Sequence, residues 1–148
     1  MKLSVLVPVY NLEHFIEPCL LSLLEQTTNF DFEVIAIDDG SSDGSWSIMQ
    51  RLAARWPQLR ALQNPQNMGL AKTQKRLLAE ARGEYIAYVD GDDLALPGKL
   101  QVLADYLDAH PGCALCYHEA EVFDSETEEV TAHYSRDYYN ACLLYTSP

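Results

Sequence analysis

An α/β fold with a mostly parallel sheet and helices on both faces is what this sequence predicts, and three observations lead to it. Short, β-branched apolar runs alternate with longer stretches whose apolar residues recur at helical spacing. The short runs are apolar at nearly every position, as strands buried on both faces are. Three of them stop on polar loops, Pro8-Val9-Tyr10-Asn11, Asp38-Asp39-Gly40-Ser41 and Asp90-Gly91-Asp92-Asp93, and in open parallel sheets ligands gather at the carboxyl ends of the strands.

Leu3 to Val9 reads as the first strand, with Pro8, which has no N–H to donate, marking where ladder pairing stops. Leu12, Phe15, Ile16, Cys19, Leu20, Leu23 and Leu24 fall on one face of a helix predicted over 12–26. Phe32 to Ile37 is a second strand, and Ser45 to Trp56 a helix that stops before Pro57. Leu59 to Gln63 is a third, weaker strand, followed by the loop Asn64-Pro65-Gln66-Asn67. Gly69 to Ala81 predicts a helix with Gly83 as its stop. Tyr85 to Val89 is the next strand. Pro97 suits the first turn of a helix running to about Ala109, closed by His110-Pro111-Gly112. Cys113 to Phe123 completes the alternation as a fifth strand. Between Glu119 and Asp137 acids crowd together with few large aliphatics, which predicts weak order.

A chain of 148 residues supports one domain with a real core. Its net charge of −12, from 22 acidic and 10 basic residues, excludes nucleic acid as a partner. No apolar stretch reaches the roughly 18 residues of a membrane span, and Met1 to Val9 lacks the pattern of a secretory signal; a cytoplasmic location is expected. Cys113 and Cys116 form a C-x-x-C without a second pair, so buried, inert thiols are expected rather than zinc or redox chemistry. His14, His110, His118 and His133 have no metal-ligand spacing and are expected at the surface.

The chemistry concentrates at Asp90, Asp92 and Asp93. Carboxylates crowded where a buried strand emerges repel one another, and a cation relieves them. Mg²⁺ or Mn²⁺ takes one or two carboxylates and completes its shell with water and substrate phosphate. Gly91 allows close backbone approach to a ligand. The competing reading is an acidic loop that only caps the following helix. At the second strand end, Asp39 can accept a hydrogen bond from a base imide N–H while Asp38 fixes the loop. Ser42 or Asp43 can cap the next helix. So many acids make a bare P-loop-like phosphate cradle a poor match.

Taken together, Val7-Pro8-Val9-Tyr10-Asn11, Asp38 to Ser45, Asn67-Met68-Gly69, and Gly83-Glu84-Tyr85-Ile86 leading to Asp90-Gly91-Asp92-Asp93 resemble the family 2 glycosyltransferases, inverting enzymes of the GT-A fold. The resemblance runs from about Leu3 to Leu100. It implies that Pro8 and Tyr10 line the nucleoside pocket, that Asp39 binds a uracil-type base, and that Asp38 supports that loop. It places Asp90 and Asp92 at the family's D-x-D positions, with Asp92 as direct metal ligand, Asp90 beside it near the ribose or sugar, and Asp93 a lesser candidate, either for the sugar or for supporting the metal's ligands. The implied donor is a UDP- or dTDP-linked sugar, the cofactor Mg²⁺ or Mn²⁺, and the acceptor an unidentified glycan, lipid or protein, with a peripheral station at the inner face of the cell membrane in keeping with the family.

Two departures stand out. Where many members carry Ala-Arg-Asn, this chain has Thr73-Gln74-Lys75, which leaves Lys72 or Lys75 as the substitute charge for the diphosphate. The family's catalytic base, an aspartate well beyond the D-x-D, has no counterpart; Glu119, Glu121 and Asp124 come too early and read as solvated charges. The last residues, 142–148, resemble a translated sequencing adapter, so the expected organisation is a donor-binding part at 1–118, an acidic continuation at 119–141 and a non-native tail, the chain being an inactive fragment. A sugar nucleotidyltransferase would carry a Gly-rich basic loop where this chain has Tyr10-Asn11-Leu12-Glu13-His14. A non-catalytic nucleotide-sugar-binding module is the other alternative.

Overall fold

The computed structural model describes residues 1–127 and 129–134. The chain divides into two compact units, Met1–Ala109 and His110–Pro148. In the first, β1 (Leu3–Val9), α1 (Ile16–Leu24), β2 (Phe32–Asp38), α2 (Ser45–Ala53), β3 (Leu59–Gln63), α3 (Leu70–Glu80), β4 (Tyr85–Tyr88) and α4 (Lys99–Ala109) alternate as expected. The four strands form one parallel sheet in the order β3-β2-β1-β4.

Burial explains both faces. On β1, Leu3, Val5, Val7 and Val9 join Val34 and Ala36 of β2 against Ile16, Leu20 and Leu23 of α1, Met49 and Leu52 of α2, and Leu100 of α4. The alternate residues Leu6, Ile35 and Ile37 pack instead on Leu77 of α3. The chain adds β2 and β3 on one side of β1, then reverses to add β4 on the other. With crossovers of constant hand, that reversal moves α3 to the opposite face. Each large side chain removed from water here contributes about 1.5–3 kcal/mol.

A polar seam fastens the amino ends of the strands. Glu33, 3% exposed, accepts from Ser4 Oγ (2.8 Å), the Arg82 N–H (3.1 Å) and Arg60 Nη1 (3.2 Å). Arg60 also grips Glu80 at the end of α3 (2.6 Å). Burial pushes the Glu33 carboxyl up, but these donors outweigh it and hold it below the usual carboxylate range.

Several boundaries differ from the sequence expectation. α1 begins at Ile16, because Asn11 has a left-handed backbone (φ 54) and residues 12–13 hydrogen-bond outward to the next loop. α2 ends at Ala53, the turn through Arg55 and Trp56 being looser. Pro97 lies ahead of α4 rather than in its first turn, since the positive φ of Gly98 (84) is incompatible with helix. Pro8 ends the ladder only toward β4; toward β2 the register continues through Val9 and Asp38.

The second unit overturns the fifth strand. No ladder forms from Cys113 through Ala120, where Leu115 is 79% exposed, because an apolar run becomes a strand only with a partner. Glu121–Phe123 (β5) and Val130–His133 (β6) pair as an antiparallel hairpin instead, within the stretch expected to be poorly ordered. Asp124 accepts from the Glu126 and Thr127 N–H groups and caps its turn (both 2.9 Å). Cys113 and Cys116 are half-buried rather than buried, whereas Cys19 is fully buried. Residues 135–148, with all of the expected adapter-derived tail and part of the acidic continuation, lie outside the described residues. Among the described residues no helix is long and apolar enough to cross a membrane.

Candidate functional site

The cavity opens where the sheet parts. β1 and β4 stay paired to Leu6 and Tyr88, and the Val89 N–H still reaches the Leu6 carbonyl (3.1 Å). Pro8, two residues on, faces the same neighbour by the period of a strand and has no N–H to offer, so the strands diverge. Gly91 settles into the gap: a Cβ there would stand 2.8 Å from Leu12 Cδ1 and 3.0 Å from the Pro8 carbonyl oxygen. This is the point where strand order reverses, and parallel sheets form their ligand crevice at such a point.

A cavity of about 380 Å³ lies here. Pro8, Val9, Tyr10 and Leu12 line it from the first loop, Asp39 from the second, Asn67, Gly69, Leu70 and Thr73 from the third loop and the start of α3, and Asp90, Gly91 and Asp92 from the fourth. Most residues singled out in the sequence are thereby brought together: Pro8, Tyr10, Asp39, Asp90 and Asp92 share one hollow. Asp38 and Asp93 do not line it, and neither do Lys72 and Lys75.

Asp38 is fully buried at the end of β2. Its Oδ2 accepts from the Ser41 N–H (3.2 Å) and Gln63 Nε2 (3.0 Å), which holds the turn after β2. Its Oδ1 is buried with no hydrogen-bond partner among the described residues. Asp39 is more heavily engaged than the sequence suggests. Oδ1 accepts from Asn64 Nδ2 (2.6 Å) and the Met68 N–H (2.9 Å), and Oδ2 from the Gly69 N–H (2.9 Å). Burial pushes this carboxyl up; the donors from Met68, Asn64, Thr73 and Gly69 together hold it below its ordinary value. A carboxylate only accepts hydrogen bonds, and Asp39, held by these donors, also forms part of the cavity wall.

The first two loops are locked to each other. The Asn11 N–H donates to Ser41 Oγ (2.9 Å) and Asn11 Oδ1 accepts from the Ser42 N–H (2.9 Å). The Leu12 N–H donates to Ser45 Oγ (2.8 Å), the Glu13 N–H to Asp43 Oδ2 (3.1 Å), and the Gly44 N–H to Glu13 Oε2 (2.7 Å). Asp43 Oδ1 also accepts from the Ser45 N–H (3.0 Å), but the N-cap of α2 is Gly44, so neither Ser42 nor Asp43 takes the expected cap position. This lock holds Tyr10, half-exposed, at the cavity rim. Asn11, Glu13, Asn64 and Thr73 are positioning residues that sequence reasoning missed; their donors and acceptors match only once distant loops meet.

The acidic end fits a divalent cation. Desolvation, then the charges of Asp92 and Asp90, push the Asp93 carboxyl up, and the nearby charge of Lys99 offsets this only in part. No Lys or Arg lines the cavity, and among the described residues no ion pair engages Asp90, Asp92 or Asp93. Three His, Cys, Asp or Glu side chains do not converge as a metal cage among the described residues. That suits an ion that takes one or two carboxylates and leaves its other positions to ligand oxygens. Cys19, beside this loop, is held with its thiol pushed up to about 12 by burial and by the neighbouring carboxylates, and it is chemically inert there.

Residues 4–145 match the sequence profile of Glycosyl transferase family 2. The uncharacterized glycosyltransferase EpsJ of Bacillus subtilis is 40% identical over 102 residues, covering 69% of this chain and 29% of its own length. The crystal structure of S. aureus TarS 1-349 in complex with UDP-GlcNAc superposes with a TM-score of 0.68 and 30% identity, over 83% of this chain and 40% of that one. The mannosyltransferase PcManGT from Pyrobaculum calidifontis, in complex with GDP-Man and Mn²⁺, gives a TM-score of 0.67 at 26% identity over 94% of this chain and 37% of that one. The chain spans about a third of the length of the curated relatives it matches.

Proposed function

The chain belongs to glycosyl transferase family 2, and from that premise we propose that it is the donor-binding part of a metal-dependent, inverting glycosyltransferase that uses a UDP- or dTDP-sugar. One observation carries the reading: Asp39 and Asp92, from separate strand ends, line the same cavity as Tyr10. The base lies toward Tyr10 and Asp39, whose carboxylate accepts an imide N–H, while Asp38 keeps that loop in place. The diphosphate lies toward Asp90 and Asp92, with Asp93 behind them.

Two diphosphate charges facing aspartates with no basic side chain between them would be repelled without a cation. Asp92, with Asp90, would hold Mg²⁺ or Mn²⁺, which when bound supplies neutralisation of the charge that builds on the diphosphate leaving group. The base that deprotonates the acceptor hydroxyl belongs to the remainder of the protein. Glu121 and Asp124 are solvent-exposed, Glu119 is half-buried, and Asp124 already caps a turn.

The test is isothermal titration of UDP into the complete protein, with Mn²⁺ or Mg²⁺ and then with EDTA. Binding that needs the divalent ion is expected. Equal affinity under both conditions overturns the metal role, and no UDP binding under either overturns the donor reading.

A further inference from the structure

We infer that Arg76 is a positioning residue for base selection, acting on Asp39 through Asn64. The inference rests on the reading of Asp39 as the carboxylate that meets the base. Arg76 projects from α3, and its Nη1 donates both to the Gln63 carbonyl (2.8 Å) and to Asn64 Oδ1 (2.6 Å). A guanidinium has donors only. It therefore dictates which end of the Asn64 amide faces it, and that end is the oxygen. The Nδ2 end is left to face Asp39, donating to Asp39 Oδ1 (2.6 Å) and to Thr73 Oγ1 (2.8 Å). Asn64, Thr73 and Asp39 are 2%, 1% and 4% exposed, so no water competes freely for these groups.

This relay determines what Asp39 can do in the cavity. Asn64 Nδ2 and the Met68 N–H together fill Oδ1, and the Gly69 N–H takes one position on Oδ2. What the cavity meets is an acceptor-only group, a carboxylate fixed in place. Such an acceptor favours a base edge that presents a ring N–H, as uracil and thymine do. It disfavours cytosine, whose N3 presents a lone pair at the same place. Without Arg76 the oxygen end of the Asn64 amide loses its partner, and the amide is held only through Nδ2 on Asp39 and Thr73. Asp39 is then fixed less firmly, and the preference for a ring N–H weakens even though Asp39 is still present.

The experiment is an NMR titration of this chain, in Mg²⁺, with UDP and separately with CDP, for the unaltered protein and for Asp39→Asn, Arg76→Met and Arg76→Lys. The unaltered chain is expected to favour UDP. Asp39→Asn and Arg76→Met are each expected to cut the UDP-to-CDP preference by about tenfold, and Arg76→Lys by less, since an ammonium satisfies the same acceptors with poorer geometry. If Asp39→Asn abolishes the preference while Arg76→Met leaves it intact, the relay is overturned and the base reading stands. If Arg76→Met weakens UDP and CDP alike with a lower melting temperature, Arg76 is structural only and the relay is again overturned. If Asp39→Asn leaves the preference unchanged, the base reading falls and takes the relay with it. Should Arg76→Met fail to fold, Arg76→Lys decides: an unchanged preference together with a loss of affinity for both nucleotides overturns the relay.

Discussion

At Asp39 and Glu33, side chains of one chemical type are put to different uses by what surrounds them. Asp39 at the carboxyl end of the sheet is pinned by the loop it faces and lines the cavity. Glu33 at the amino end spends its oxygens on Ser4, Arg60 and Arg82, and has a structural task only. Because its carboxyl is held below the usual range, the unfolded chain takes up a proton at Glu33 before the folded one does. The ionised group therefore stabilises the fold fully above about pH 4.3, and that contribution is lost as pH falls through the lowered value. Glu33→Gln is expected to cost about 1–3 kcal/mol at pH 7 and to flatten the loss of stability between pH 5 and 3. Urea unfolding at several pH values measures both, and an unaltered acid slope would remove Glu33 as a source of it. Asp92 is the opposite case, an exposed side chain with no structural bond to lose. Asp92→Ala is expected to change folding stability by less than about 0.5 kcal/mol while turnover of the complete protein falls about a hundredfold or more. Wild-type turnover in that variant would show that the ion is held elsewhere.

At the scale of elements, the loops after β1 and β2 work as one part. Asn11 and Glu13 reach into the turn of residues 41–45, and that turn answers with Ser41, Asp43 and Ser45. This lock also explains the late start of α1: the residues with the right helical spacing are present from Leu12, but the Leu12 and Glu13 N–H groups are committed outward. The third loop is pressed onto the second at Gly40, whose φ is 72 and where a Cβ would stand 2.7 Å from the Asn67 nitrogen and the Gln66 carbonyl carbon. Gly40→Ala is expected to destabilise the chain by about 2 kcal/mol or more, from the left-handed backbone and the backbone clash together. An unchanged urea midpoint would mean that loop 64–69 does not depend on this approach. Neither contact is visible in local sequence, because each joins residues some thirty positions apart.

At the scale of the whole first unit, the site is a product of strand order. The expected GT-A plan of a mostly parallel sheet flanked by helices holds from β1 through α4, in keeping with the TM-scores against TarS and PcManGT. Placing β4 beside β1, and not beside β3, is what carries the Asp90-Gly91-Asp92 loop to within reach of Pro8 and Tyr10. A sheet in sequential order would have left Asp92 three strands from the first loop. The absence of a Pro8 N–H then keeps the two strands apart where a ligand can enter.

The sequence by itself determined which segments become strands and which helices through α4, since apolar period and turn residues act over a few neighbours. It also determined the chemistry available at each strand end, and the likeness of those ends to a known family. It misplaced the strand after Cys113, because a strand needs a partner that composition does not specify. Only the tertiary structure decided that Asp39 is anchored by Asn64, Met68 and Gly69, that Lys72 and Lys75 stand away from the cavity, and that Arg76 reaches the site through Asn64. Those facts depend on register and on the meeting of distant loops, where hydrogen-bond direction is set by geometry in space and leaves no period in the chain.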